Sequence, residues 1–355
     1  MRVIMANKLF TGYLGGVERY IYSLSSELAR LGVDVVVCAS GKAACFEADG
    51  FRVRNVPSLA DLRAFIRRGA DVVHAHLPRK LFSFEALRSA HGAGIRTVFT
   101  PHAFYPGGSP LKKMGKLAVD RTFTRYSLRT CDVVVNLTPQ DQADSFRNGL
   151  PRAKSIIVPN SVSVRELGAL EERLEGQSFS IAEPYLLHVG RFDRVKNIDF
   201  LVRAQRRIRG RALVLIGQDD GELHVTRAAI ARLGLSDRVH ILESVDRETL
   251  VSAYMNATAI VLSSRWEGLP TVLIEGLYFK KPFVASAVGG NSWLIQRGAP
   301  GVTFPLDDED AYVAAIEEIA KSPVSALAAG RELIVKEFSW EQNAKRLMHV
   351  YSGDT

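Results

Sequence analysis

Cysteine is scarce: Cys38, Cys45 and Cys131 are the only three in 355 residues. They are too few and too scattered for a disulfide framework or a metal cluster. Long apolar runs are missing as well; none approaches the ~18–20 residues that span a bilayer. The start, MRVIMANKLF, has a strand-like apolar run but no long apolar core and no small-residue cleavage site. No signal peptide is therefore expected, and a reducing cytoplasm is the expected compartment. The chain has no GxxxxGK(S/T) or GxSxG motif, no zinc- or iron-type spacing, and no known nucleic-acid-binding motif. It does have the composition of a globular protein, 47% hydrophobic and 24% charged, with a mean hydropathy of +0.02. That excludes a disordered or fibrous chain. The length exceeds what one ordinary core supports and predicts two domains.

The positive charge is unevenly placed. Through Glu166 there are 24 Lys and Arg against 13 Asp and Glu; the remainder has 22 against 25. The whole excess lies in the first half, so one part of the molecule should carry a field that attracts anions. An anionic membrane, a phosphorylated acceptor and a nucleic acid are all compatible with it, as is a merely basic soluble domain.

Short apolar, β-branched runs alternate with amphipathic stretches from end to end. In the first half they are Arg2–Met5, Val33–Cys38, Phe51–Val56, Asp71–His74, Arg96–Thr100, Asp132–Asn136 and Ser155–Val158. In the second they are Tyr185–Val189, Ala212–Ile216, Arg238–Leu242, Ala259–Leu262, Phe283–Ser286 and Gly301–Phe304. Near-continuous apolar runs suit parallel strands covered on both faces, and the alternation implies βαβ units. Thirteen strands in one open sheet would be unusual, so two doubly wound α/β domains are expected. The expected divisions are residues 1–160, a linker at 161–184, a second domain at 185–337, and a closing helix at 338–355. That helix is signalled by Ser339 with Gln342 three residues on.

Several strand ends carry residues suited to chemistry, and in open α/β sheets ligands bind beyond the carboxyl ends of strands. Gly15 and Gly16 follow the first strand and open a helix, where backbone can approach an anion; an ordinary loop pair reads the same way. Val189-Gly190-Arg191 and Lys196 follow the first strand of the second half, and two cations at one strand end can clamp a diphosphate. His102 lies past another strand, and His74 and His76 bracket a third. The strongest stretch runs from Ser263-Ser264-Arg265-Trp266 through Glu267-Gly268-Leu269-Pro270-Thr271 to Glu275. Eight residues of continuous helix rise ~12 Å, whereas the paired carboxylates of hydrolases sit ~5–9.5 Å apart. Glu267 and Glu275 thus suit two contacts on one extended ligand better than an acid and base. Gly289-Gly290 repeats the strand–glycine–helix theme.

In joint order and spacing these residues resemble the family 4 retaining glycosyltransferases along nearly the whole chain. The matching run is Gly-Gly-x-Glu, a strand-end histidine, Pro-Asn-x-Val at the domain break, Gly-Arg…Lys-Asn, then Glu-Gly-Leu-Pro…Glu. The resemblance implies the GT-B fold, two Rossmann-like domains facing across a cleft. It also implies a nucleoside-diphosphate sugar as donor, linked to UDP or GDP, and a glycan or lipid-linked acceptor. Glu275 would bind ribose hydroxyls, and Arg191 and Lys196 the diphosphate. Glu267 and the backbone of Gly268, Leu269, Pro270 and Thr271 would bind donor sugar and phosphate. His102 would lie at the sugar, and Gly15 and Gly16 would cover phosphates and acceptor. The closing helix would return to the first domain, anchored by Trp340 and Tyr351.

Two positions depart from the family pattern: Leu269, where an aromatic is frequent, and Gly276-Leu277-Tyr278-Phe279-Lys280, where small residues are frequent. No metal and no cofactor are expected, and no nucleic-acid partner. A sugar-nucleotide epimerase of the same architecture is the alternative activity, and a basic nucleic-acid-binding protein a more remote one. The segment Leu111–Arg129 interleaves cations, among them Lys112, Lys113 and Lys116, with apolar residues. It predicts a membrane or acceptor face, and a core-packed helix with a solvated basic face reads the same way. The family resemblance implies peripheral association with the inner face of the plasma membrane, in cell-surface polysaccharide, lipopolysaccharide or glycolipid synthesis.

Overall fold

A computed structural model describes residues 1–10, 15–41, 45–102, 104 and 110–353, with residues 110–113 as backbone only. The chain divides into two compact units, Met1–Ser161 with Trp340–Thr355, and Val162–Ser339.

Among the described residues of the first unit, eight strands form one sheet. They are β1 (Arg2–Asn7), β2 (Asp34–Ser40), β3 (Phe46–Ala48), β4 (Phe51–Val56), β5 (Val72–His76), β6 (Arg96–Thr100), β7 (Val133–Asn136) and β8 (Ser155–Ile157). The sheet order is β3-β4-β2-β1-β5-β6-β7-β8, parallel except for the β3–β4 pair. The antiparallel edge strand β3 escapes the periodicity reading because FEA is short and has little buried surface. Interior strands such as β5 are buried at every position, as parallel strands between two helix layers should be. Helices start where a side-chain oxygen accepts an otherwise unpaired N–H: Ser58 from Asp61 and Thr138 from Asp141.

The helix Trp340–Ser352 packs on helix Gly16–Arg30 within this unit. Trp340 is buried with its ring 4.8 Å from that of Tyr20, edge to face. The Tyr351 hydroxyl is hydrogen-bonded to His74 Nδ1 at 2.7 Å.

The second unit holds a six-stranded parallel sheet among its described residues. Its strands are β9 (Tyr185–Val189), β10 (Ala212–Gly217), β11 (Val239–Glu243), β12 (Ala259–Leu262), β13 (Phe283–Ser286) and β14 (Gly301–Phe304). The order is β11-β10-β9-β12-β13-β14. The chain winds outward from β9 through β10 to β11, then crosses to β12 on the other side of β9. The β9/β12 boundary is therefore the topological switch point, and β1/β5 is its counterpart in the first unit. Two doubly wound α/β units are the fold class expected from the sequence.

Residues 161–184 are not a bare linker. Val164–Leu174 is a helix whose Leu167, Leu170 and Leu174 enter the second unit's core. Its many charges hide a leucine spacing of three and four, which is a helix's buried stripe. Among the described residues, no helix is long and apolar enough to cross a membrane.

Candidate active site

In the second unit, the loops after β9, β12 and β13 stand side by side at the carboxyl edge of the sheet. The loop after β9 brings Gly190, Arg191 and Lys196. The loop after β12 brings Glu267, Gly268, Leu269 and Pro270, and Thr271 opens the helix Thr271–Tyr278. Lys196 Nζ donates to Glu267 Oε1 at 2.6 Å, and the Ser264 hydroxyl donates to the same oxygen at 2.5 Å. The Lys196 and Glu267 side chains are only 20% and 9% exposed. The pair is thus substantially desolvated, and its charges act in a medium less screening than water. Arg191 behaves differently. It is largely exposed, paired with Asp193 at 3.1 Å and with Asp220, and such exposed pairs hold it only weakly.

The Glu267–Gly268 segment is pinned from below by the loop after β13. Gly290 N–H donates to the Gly268 carbonyl at 2.6 Å. Gly289 sits at φ +52, where a Cβ would lie 1.8 Å from the Glu267 carbonyl oxygen; only glycine permits that approach. Leu269 turns its side chain into the core. Arg265 closes the outer side, bridging the Asn197 side-chain oxygen at 2.9 Å and Asp307 at 2.9 Å. Asn197 adopts a left-handed φ of +53 and donates to the Ser263 carbonyl at 3.2 Å.

Glu275 rides on the helix, 2% exposed, and Glu267 precedes it. Glu275 Oε1 lies 3.0 Å from Arg247 Nη2, and Arg247 Nε donates to Glu166 Oε1 at 2.8 Å. Burial opposes the charge on Arg247, but the two carboxylates outweigh it and hold the guanidinium firmly protonated. Beneath the site, buried His188 donates from Nδ1 to the Val261 carbonyl at 3.1 Å. Burial, with Lys196 nearby, lowers its pKa to about 4.

In the first unit, Gly15 precedes helix Gly16–Arg30 in an extended conformation; Leu14 lies outside the described residues. His102, after β6, holds an unusual φ of +65. Its Nε2 is 3.1 Å from His76 Nδ1, and its ring meets Tyr20 edge to face at 4.8 Å. His74 Nε2 is hydrogen-bonded to the Thr100 hydroxyl at 2.7 Å. Burial lowers the pKa of His74 and His102 to about 3 and that of His76 well below its usual value. The cluster is neutral near pH 7, so His102 offers a hydrogen bond rather than a charge.

Lys112 and Lys113 lie outside the residues whose side chains are described. Lys116 is half-buried on the helix Pro110–Val119. Met114, Leu117, Phe123 and Tyr126, on this helix and its continuation, are exposed, as are Arg121, Arg125 and Arg129.

Sequence reading missed Arg247, Ser264, Arg265 and Asp307. Ser264 and Arg265 lay inside the stretch singled out, but nothing in the stretch shows which side chains turn inward. Arg247 is joined to Glu166 across 81 positions, a pairing that no local pattern signals.

Two family profiles match the chain in succession. The one described as Glycosyltransferase Family 4 covers residues 14–166, and the one described as Glycosyl transferases group 1 covers residues 173–348. Among curated relatives, the O-antigen chain mannosyltransferase C of Escherichia coli is 26% identical over 90% of this chain and 88% of its own length. The D-inositol 3-phosphate glycosyltransferase of Mycolicibacterium smegmatis is 25% identical, with 96% of this chain and 87% of that protein aligned. Among solved structures, the sucrose-phosphate synthase of Thermosynechococcus elongatus superposes with a TM-score of 0.78 at 22% identity, covering 99% of this chain and 98% of that one. HepE of Anabaena, in complex with UDP and glucose, gives 0.78 at 14% identity, covering 99% and 100%. With both halves matched in order and the doubly wound architecture shared along the full length, the chain belongs to the family 4 glycosyltransferases and has their GT-B fold.

Proposed function

We propose that this glycosyltransferase moves a sugar from a nucleoside-diphosphate donor to a hydroxyl of a glycan or lipid-linked acceptor, with retention of configuration. The observation that carries this reading is the desolvated Lys196–Glu267 pair at the β9/β12 switch point, with Arg191 on the same rim. Breaking the anomeric bond to a diphosphate builds negative charge on the leaving phosphate. On this reading Lys196, Arg191 and the peptide N–H groups that open helix Thr271–Tyr278 supply the cations and dipoles that stabilise that charge, and no metal is called on. Glu267 accepts hydroxyls of the transferred sugar, whose anomeric centre becomes oxocarbenium-like. Glu275 holds the ribose. His102, neutral, donates or accepts one hydrogen bond at the sugar. Gly15 and Gly16 let backbone approach the phosphates and acceptor. The acceptor hydroxyl attacks from the face the leaving group departs and passes its proton to the departing phosphate oxygen, so no covalent nucleophile is invoked. The donor is UDP- or GDP-linked; UDP bound to the structural relative HepE supports the former.

The exposed apolar residues around Arg121, Arg125 and Arg129 suit an acceptor presented at an anionic membrane, in line with a role in cell-surface polysaccharide or glycolipid synthesis. Co-sedimentation at low salt should recover more protein with anionic than with neutral vesicles. Equal recovery, or normal binding by a Lys112/Lys113/Lys116→Glu triple variant, contradicts the membrane face.

The activity is tested by nucleotide release from a panel of UDP- and GDP-sugars, with and without glycan and glycolipid acceptors. Release that rises with one acceptor and yields a glycosylated product supports transfer. Isomerised sugar formed at the same rate without any acceptor points instead to an epimerase.

A further inference from the structure

A carboxylate that is 2% exposed is costly to keep ionised unless a cation answers it. For Glu275 that cation is Arg247, 3.0 Å away. Arg247 opens helix Arg247–Asn256, which the Asp246 side chain caps by accepting from Thr249 N–H at 2.7 Å. Its guanidinium forks: Nη2 lies at Glu275 and Nε donates to Glu166 at 2.8 Å. Glu166 stands on helix Val164–Leu174, so the arginine is fixed from two sides. We propose that Arg247 is a positioning residue of the donor site, holding Glu275 ionised and aimed so that it can accept both ribose hydroxyls of the nucleotide. The inference rests on the reading of Glu275 as the ribose ligand.

Among the described residues, the other charged groups named around helix Thr271–Tyr278 are paired elsewhere or exposed, Arg165 of helix Val164–Leu174 among the exposed ones. β12 and β13 bring no titratable side chain to it. Helix Val324–Glu337 brings Arg331, which pairs with Glu171 at 2.6 Å and donates to the Tyr278 hydroxyl at 3.0 Å. On the same helix Glu337 pairs with Arg297 at 2.5 Å, and Glu332 and Lys336 are exposed. On helix Arg247–Asn256, Glu248 pairs with Arg173 at 2.8 Å and Tyr254 lies in the core. Lys280 and Lys281 lie past the helix's end. With Arg247 gone, burial favours the protonated form of Glu275.

The test is calorimetric titration of the full-length protein with UDP and GDP from pH 6 to 8.5, each variant expressed as an affinity ratio to wild type so that the ligand's own titration cancels. For whichever nucleotide binds, Glu275→Gln should weaken binding by roughly tenfold or more with a flat ratio. Arg247→Gln should match that loss at pH 6 and recover toward wild type by pH 8.5. Arg247→Lys keeps the charge but not the fork; it should bind between wild type and Glu275→Gln with little pH slope, and it carries the test if Arg247→Gln does not fold. An Arg247→Gln ratio that is flat, or equal to one, overturns the proposal, as does an Arg247→Lys variant indistinguishable from wild type or as weak as Glu275→Gln. If Glu275→Gln itself binds like wild type, the ribose reading falls and the proposal falls with it.

Discussion

A lysine and a glutamate in contact can be a structural pair or the working part of a site, and variants of Lys196 and Glu267 separate the two. Both side chains are largely shielded from water, so removing one leaves the other charge without its partner. If the pair is only structural, Lys196→Met and Glu267→Gln should each lower stability, and the double variant should recover stability and activity. If both contact the donor, the double variant recovers stability but stays at least ~100-fold down in kcat/KM, a loss of about 2.7 kcal/mol. Unfolding curves and steady-state kinetics on the three variants decide it; a double variant with near wild-type kcat/KM contradicts the assignment. Arg191 and Lys196 could be singled out from the sequence as candidates because they leave a strand end, where ligands gather in open α/β sheets. Their present partners were not, because Asp220 and Glu267 lie 29 and 71 positions away. Arg247 had no signal at all: an arginine after an aspartate at a helix start reads as ordinary surface charge.

Among the elements, strands were the most legible. Each of the thirteen apolar runs coincides with a strand, because burial on both faces of a parallel sheet makes such strands apolar along their length. Helix Val164–Leu174 hid behind its charges, and β3 behind its brevity. The loop after β13 yields a prediction at this scale. Gly289→Ala forces a side chain into a left-handed φ and against the Glu267 carbonyl. It should lower stability by more than about 1 kcal/mol and weaken donor binding by moving Glu267. Gly210, also at positive φ (+67) but with nothing near its Cβ position, is the control: alanine there carries only the strain. Equal donor affinity in the two variants contradicts the pinning role. The helix Trp340–Ser352 gives another. Trp340→Ala removes a fully buried indole against Tyr20 and should cost about 3–5 kcal/mol, read from urea unfolding. A change below about 1 kcal/mol means the helix is not an integral part of the first unit.

For the molecule as a whole, buried histidines set the acid limit. His74, His76 and His188 stay neutral when folded, with pKa values of about 3 and about 4 for the first and last, while unfolded histidine takes a proton near 6.5. Their contribution is full above pH 6.5 and is lost as the pH falls, at up to about 1.4 kcal/mol per unit for each. Asp141, raised to about 6 by burial, has the opposite sign: what it contributes is present in acid and lost as pH rises through 6. The histidines outnumber it, so urea unfolding should show markedly lower stability at pH 5 than at pH 7; equal stability contradicts their burial as neutral groups. Sequence also revealed the two-unit plan, through strand count and length. The central claim concerns the second unit, that its carboxyl strand edge holds the donor nucleotide, and binding of UDP and GDP tests it directly. Titration calorimetry on wild type, Glu275→Ala and His102→Ala should find one nucleotide bound by wild type, weakened roughly 10- to 150-fold by Glu275→Ala, the loss of a charged hydrogen bond, and little changed by His102→Ala. Binding of neither nucleotide by wild type, or undiminished binding by Glu275→Ala, would contradict the account.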